Sequence, residues 1–238
     1  MSFFLQVPYN EVGKDYVVGD IHGCFDLLRG ALNVVGFNED TDRLFSVGDL
    51  VDRGPSSHEA IDWLDKPWFY AVRGNHEQMI IEAYLGLIDQ ATHCVNGGTW
   101  WYCLSANSRG AVARVLGDLP YAIEIETKNG QYGIIHAEVP GDDWRAFKEV
   151  LLEMDKGKDA PKNFEHMERF ALWGRYIIKG RSEFHGVKNI DRVYVGHTPL
   201  KEWQIRDNVY YIDTGAVFKK HLTLFCITDD NVLQHYNN

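Results

Sequence analysis

The sequence predicts an α/β fold with two sheets in one mixed domain, on two observations. In the first half, a short β-rich run ends in a polar Gly or Asn motif and hands over to a helix-like segment, three times in succession. In the second half short strands dominate, two of them joined by a hairpin signal.

Taken in order, the first predicted strand is Asp15 to Gly19. It leads to a helix over Phe25 to Val35, where Leu27, Leu28, Ala31, Leu32 and Val35 recur at helical spacing. Arg43 to Gly48 is the second strand. Pro55 stands where a helix can begin, and a helix is predicted near Ser57 to Leu64. Trp68 to Val72 precedes a third helix, over roughly His76 to Leu87. Tyr121 to Glu126 and Gln131 to His136 are strands joined by the turn Thr127-Lys128-Asn129-Gly130. The charged region from Asp142 to Arg175 reads as mostly helical, with Asp155 to Asp159 a solvated loop. Arg192 to Gly196, Val209 to Ile212 and Leu222 to Ile227 are the last strands, followed by an Asp229-Asp230-Asn231 turn. No repeat, low-complexity tract or linker divides the chain, so one domain over residues 1–238 is expected.

With 238 residues and 45% hydrophobic content, the chain can bury a sizeable core. Its formal charge of −10 argues against a nucleic-acid or acidic-membrane surface, because polyanion binding draws on clustered Lys and Arg. An anionic substrate would need a local attracting device. Cys24, Cys94, Cys103 and Cys226 are widely spaced without a CxxC pair, which fits reduced thiols. The first residues lack a basic n-region and a cleavage site, and no run of about 18 apolar residues exists. A cytoplasmic protein is expected, and oligomeric state is not legible.

The strand ends carry the chemistry. They read Gly19-Asp20-Ile21-His22-Gly23, Gly48-Asp49-Leu50-Val51-Asp52-Arg53-Gly54 and Arg73-Gly74-Asn75-His76-Glu77, then His136 and finally Gly196-His197-Thr198. Open α/β sheets place sites on such loops. Singly, each motif has an ordinary explanation: a turn carboxylate, a local ion pair, a helix cap, a core histidine. Together they offer imidazole, carboxylate and amide donors with no thiolate, a set suited to Mn²⁺, Fe²⁺ or Zn²⁺.

In this order, GDIHG, GDLVDRG and GNHE, followed by single histidines and GHT, resemble the signature blocks of the PPP family of metal-dependent phosphoprotein phosphatases. VNGGTWW, IIHAEVP, the WGR at Trp173 to Arg175, VGHTPL and YIDTGAVF resemble its compact branch, typified by bacteriophage lambda protein phosphatase. The resemblance implies the calcineurin-like metallophosphoesterase fold, a mixed α/β architecture with two mixed sheets packed as a sandwich flanked by helices. It implies two divalent metal ions, manganese expected and iron or zinc also fitting. Asp20, His22 and Asp49 would hold one, and Asp49, Asn75, His136 and His197 the other.

The reaction implied is in-line attack of a metal-bridging hydroxide on phosphorus. His76 would protonate the leaving alkoxide and Asp52 would orient it, while Arg53, Arg73 and Arg175 would bind the phosphate oxygens. The implied substrate is a phosphorylated protein or peptide carrying phosphoserine or phosphothreonine, with phosphotyrosine open. Two other functions compete. Symmetrical diadenosine tetraphosphatases share the first block but typically carry Ala where Asp52 stands and Asp where Glu77 stands. A non-catalytic metal- or phosphoprotein-binding module would be expected to have lost His76, Asp52 or a ligand. Glu77 and Asp213 read as supporting residues, and His58, His93, His166, His185, His221 and His235 as structural or surface. Trp100 and Trp101, after Asn96-Gly97-Gly98, read as core, with a wall of the cleft as the alternative. Ala137-Glu138 stands where eukaryotic members carry two glycines, which leaves the cleft near that loop undefined.

Overall fold

The computed structural model describes residues 2–180 and 183–236. The chain runs β1 (Phe4–Val7), β2 (Asp15–Val18), α1 (Phe25–Val35), β3 (Arg43–Ser46), a 3₁₀ turn (Ser57–Glu59) continuing into α2 (Ala60–Leu64), β4 (Phe69–Ala71) and α3 (Asn75–Leu85). Next come α4 (Gln90–Val95), α5 (Thr99–Tyr102), α6 (Ala106–Gly117), β5 (Ala122–Thr127), β6 (Gly130–Ile135), α7 (Trp144–Asp155) and α8 (Phe164–Trp173). The chain closes with β7 (Arg192–Val195), β8 (Gln204–Arg206), β9 (Val209–Tyr211), β10 (His221–Cys226) and β11 (Asn231–Tyr236).

Both sheets are mixed. One orders its strands β11-β10-β2-β3-β4, with β2, β3 and β4 parallel; the other orders them β1-β5-β6-β7-β9-β8, with β6, β7 and β9 parallel. Strand alternation sorts the side chains. Val17, Phe45, Ile134, Tyr194 and Phe225 meet in a core between the two sheets. Tyr16, Val18 and Leu44 instead point out to a second core with Phe25, Leu28 and Ile80 from the helices. A third core packs Trp144, Phe147, Leu151 and Leu172 against the outer face of the second sheet. Helices therefore cover the outside of both sheets, as the resemblance implies.

α1 matches its predicted bounds because its apolar stripe, Phe25, Leu27, Leu28, Ala31 and Leu32, is buried, and Gly36 at φ 65° ends it. The β5–β6 hairpin forms at the predicted turn, where Thr127 pairs Gly130. Three strands and three helices go beyond the sequence reading. β1 pairs in parallel with β5, Phe4 opposite Ala122, and so depends on a remote partner. The three residues of β8 are all exposed and show no alternation. β11 completes an antiparallel pair with β10. α4, α5 and α6 fill the stretch between the third predicted helix and Tyr121.

Candidate active site

Five strands of the two sheets, each in a parallel pair, deliver loops to the same place. Asp20 and His22 follow β2, Asp49 and Asp52 follow β3, and Asn75 and His76 open α3 after β4. From the other sheet, His136 follows β6 and His197 follows β7. The turns are tight: His22, Asp49, Asp52, Arg53 and His197 all have φ between 45° and 69°, a region that costs a non-glycine residue about 1–2 kcal/mol. Close backbone approach fixes the paths. A Cβ on Gly54 would stand 1.8 Å from the His22 carbonyl oxygen.

Two groups of donor atoms, each within 4.8 Å of one another, share Asp49: His22 with Asp49 and His76, and Asp49 with His136 and His197. Asn75 Oδ1 stands 2.8 Å from His136 Nε2 and 2.9 Å from His197 Nδ1. Asp20 lies beside these groups. Its two oxygens accept the His197 backbone N–H at 3.1 Å each, and it hydrogen-bonds Asp213.

The imidazoles are built to be neutral. Burial lowers His22 to about 3, against the pull of Asp49, and burial followed by the neighbouring His136 lowers His197. Burial lowers His136 likewise. His22 Nδ1 donates to Val51 O and His136 Nδ1 to Val47 O, each at 2.8 Å, which turns both Nε2 lone pairs inward. Burial alone would raise Asp49, but His136, His76 and His22 hold it below the usual carboxylate range. Asp20 is pushed up by burial and by Asp213 and Asp49.

These donors fit divalent cations. A neutral His136 with its proton on Nδ1 sets a bare Nε2 against Asn75 Oδ1 at 2.8 Å and Asp49 Oδ1 at 3.5 Å, acceptor against acceptor. Asp49 Oδ1 also accepts the His76 backbone N–H at 3.0 Å, and a cation is the partner that would relieve the facing lone pairs. Neutral imidazole, carboxylate and amide oxygen, without thiolate, are the ligands of borderline-to-hard ions.

His76 is fully buried, and its Nδ1 donates to Asp52 Oδ2 at 2.8 Å. Its Nε2 has no protein partner and faces Asp49 Oδ2 at 3.9 Å. Arg53 is exposed and places Nη1 2.6 Å from His22 Nε2, at the mouth of the site. Arg175 donates from Nη2 to His197 O at 3.2 Å and keeps a buried Nε without a partner. Arg73 departs from its expected role. Its Nη1 donates to Tyr121 OH and Gln78 Oε1, and its Nη2 to Gly117 O at 2.6 Å and Leu119 O at 3.2 Å. Nη2 thus binds carbonyls at the end of α6 and Nη1 binds Gln78 of α3 and Tyr121, so both terminal nitrogens of Arg73 are engaged within the protein, while its buried Nε has no partner.

Sequence reasoning missed two members. His93 Nε2 stands 3.2 Å from Asp52 Oδ2, and Trp100 Nε1 donates to Asp52 Oδ1 at 2.8 Å. Trp101 is core. The available signal was the Gly97-Gly98 pair: a Cβ on Gly98 would stand 2.1 Å from His93 Nε2. Glu138, in the loop that departs from the eukaryotic pattern, accepts the Ile177 N–H at 2.6 Å and ties that loop to the Arg175 segment. Two carboxylates expected to support the site do so. Asp213 is held against Asp20, and Glu77 accepts the N–H groups of Gly74, Asp49 and Leu50.

Oxygen and nitrogen donors gathered from two sheets at their strand ends define a candidate site for divalent metal ions. The calcineurin-like phosphoesterase family matches residues 16–215, and the chain belongs to it, so the bond hydrolysed is a phosphoester. The chain is 37% identical to serine/threonine-protein phosphatase 1 of Salmonella typhimurium, over 88% of its own length and 89% of the relative's. It is 36% identical to a symmetrical bis(5'-nucleosyl)-tetraphosphatase of Aromatoleum aromaticum, over 92% and 95%. A solved serine/threonine phosphatase from Saccharomyces cerevisiae shares the fold, with a TM-score of 0.67 at 16% identity, covering all of this chain and 84% of the other. Among the described residues no helix is long and apolar enough to cross a membrane.

Proposed function

We propose that the chain is a single catalytic domain that dephosphorylates phosphoserine and phosphothreonine in proteins, with phosphotyrosine a further substrate class. The observation that carries this reading is the buried 2.8 Å bond between His76 and Asp52. A phosphoserine leaves as an alkoxide, which needs a proton, and a carboxylate-held imidazole is the group that supplies one.

Asp20, His22, Asp49, Asn75, His136 and His197 would hold two divalent ions, manganese being the expected metal. Bound there, the ions would supply Lewis acidity toward the phosphoryl oxygens and would lower the pKa of water. Asp52 holds the Nδ1 proton, which leaves Nε2 of His76 to deliver its own proton to the departing oxygen. Arg53 and Arg175 would receive the phosphate, since guanidinium groups match its edges and stay charged when desolvated. Support for an anionic substrate on an acidic protein comes from the cavity beside Arg175. It measures about 740 Å³, and among the described residues Arg169, Arg175 and Lys179 line it without a carboxylate.

The test is phosphate release from a phosphoserine peptide by EDTA-stripped protein, with and without Mn²⁺, alongside His76→Asn. Release restored by Mn²⁺ and nearly abolished by the substitution is the expected result. No release from folded, metal-loaded protein would sink the protein-substrate reading. The Aromatoleum relative then makes diadenosine tetraphosphate the next substrate to assay.

A further inference from the structure

Asp52 is fully buried and surrounded by nitrogen atoms on three sides. His76 Nδ1 lies 2.8 Å and His93 Nε2 3.2 Å from its Oδ2, while Trp100 Nε1 lies 2.8 Å from its Oδ1. A carboxylate held by one imidazole can swing about its Cβ–Cγ bond. Donors on both oxygens, arriving from a separate segment of chain, fix its plane.

That segment is shaped for this contact. Asp89 caps α4 by accepting the Thr92 N–H, and α4 carries His93 inward until it is fully buried. The chain then turns at Gly97, whose φ is 101° and whose carbonyl accepts the Arg53 N–H at 3.3 Å. Asp52 and Arg53 both have positive φ, at 69° and 67°, so the turn they form must be braced from outside. Side chains on Gly97 or Gly98 would collide with Arg53 and with the His93 ring, at 2.5 and 2.1 Å. The Asn96-Gly97-Gly98-Thr99-Trp100 motif thus packs directly on the turn that holds the proton donor's partner.

We propose that His93 and Trp100 are positioning residues for proton transfer, fixing the Asp52 carboxylate so that His76 is held with Nε2 aimed at the leaving oxygen. The proposal rests on the reading of His76 as the proton donor. Neither residue touches substrate; each acts through Asp52. Burial works against an anionic Asp52, and the bonds from His76 and His93 nonetheless keep its carboxyl below the usual range.

Leaving-group dependence separates positioning from mere support. Dinitrophenolate departs without a proton, whereas the serine alkoxide requires one. With saturating Mn²⁺, kcat is measured on a phosphoserine peptide and on 2,4-dinitrophenyl phosphate for wild type, His76→Asn, His93→Leu, His93→Gln and Trp100→Phe. His93→Leu and Trp100→Phe are expected to lose roughly tenfold or more on the peptide and less than about twofold on the dinitrophenyl ester. His93→Gln, which restores an N–H, should recover part of the loss. A parallel fall on both substrates, or no fall, overturns the proposal. If His76→Asn itself shows no selective loss, the proton-donor reading fails instead. Trp100 is only half-buried, so its variant keeps the decision open should a His93 variant not fold.

Discussion

The carboxylate of Glu77, in the first turn of α3, accepts the backbone N–H of Asp49 at 2.8 Å and so fixes the turn after β3 from the neighbouring strand's helix. The same side chain takes the N–H groups of Leu50 and Gly74, at 2.8 and 2.7 Å. One buried acid thereby shapes both loops that meet at Asp49 and Asn75.

Glu77→Ala leaves those N–H groups without a partner inside the protein. Buried orphans of this kind cost about 3–5 kcal/mol together. Urea unfolding of the metal-stripped variant should show that loss, and a midpoint equal to wild type would refute the clamp.

Arg53 and Arg73 should part company. Arg73→Met removes four hydrogen bonds, two to carbonyls at the end of α6 and two to Gln78 and Tyr121, and is expected to lower stability by about 2–4 kcal/mol, with KM little changed in the protein that remains folded. Arg53→Ala, at an exposed position, should leave the melting temperature alone and raise KM for a phosphopeptide. Thermal melts and steady-state kinetics on both variants check the division, and the reverse pattern would restore Arg73 to the phosphate.

The buried imidazoles make the metal-free protein sensitive to acid at these positions. His22, His136 and His197 are all lowered, His22 to about 3, while an unfolded chain's histidines titrate near 6.5. At these three sites the unfolded state therefore binds more protons below pH 6.5, and their contribution to stability falls as pH drops toward the folded values. Each histidine contributes a slope of up to about 1.4 kcal/mol per pH unit. Burial raises Glu77 to about 8 and Asp213 to about 6, and raises Asp20 as well, which opposes that fall. Urea midpoints from pH 7.5 to 5 should therefore fall more steeply in Glu77→Gln than in wild type; equal slopes would mean that Glu77 is charged in the native state.

Gly196 guards Asp20. A Cβ there would stand 2.0 Å from Asp20 Oδ1 and 2.6 Å from the Val47 side chain. Gly196→Ala should displace the carboxylate and reduce Mn²⁺ stoichiometry from two per chain toward one, as read by calorimetric titration. Unaltered binding of two ions would remove Asp20 from the ligand set.

Local signals account for what the sequence made legible. Asp20, His22, Asp49, Asn75 and His76 follow short apolar runs, and such a run handing over to a 3.6-period helix such as α1 is visible locally in the sequence. β1 was invisible because its pairing with β5 is parallel and remote, with nothing at Phe4 to announce Ala122. His93 reaches Asp52 across 41 residues, and no spacing rule connects them. Arg73 misled for the opposite reason. It adjoins a true block, yet its guanidinium turns to the α6 carbonyls, and direction is a tertiary property.

The proposed ligand groups draw on both sheets: Asp20, His22, Asp49 and Asn75 from one, His136 and His197 from the other. An ion shared by Asp49 and His136 would rivet the two layers across their common core. Such an ion binds the closed sandwich and not its separated halves, so free Mn²⁺ at about a hundred times its Kd would add roughly 2.7 kcal/mol against opening. Resistance to proteases in the cell would then track the supply of metal, and a chain starved of its ion would be cleared as well as inactive.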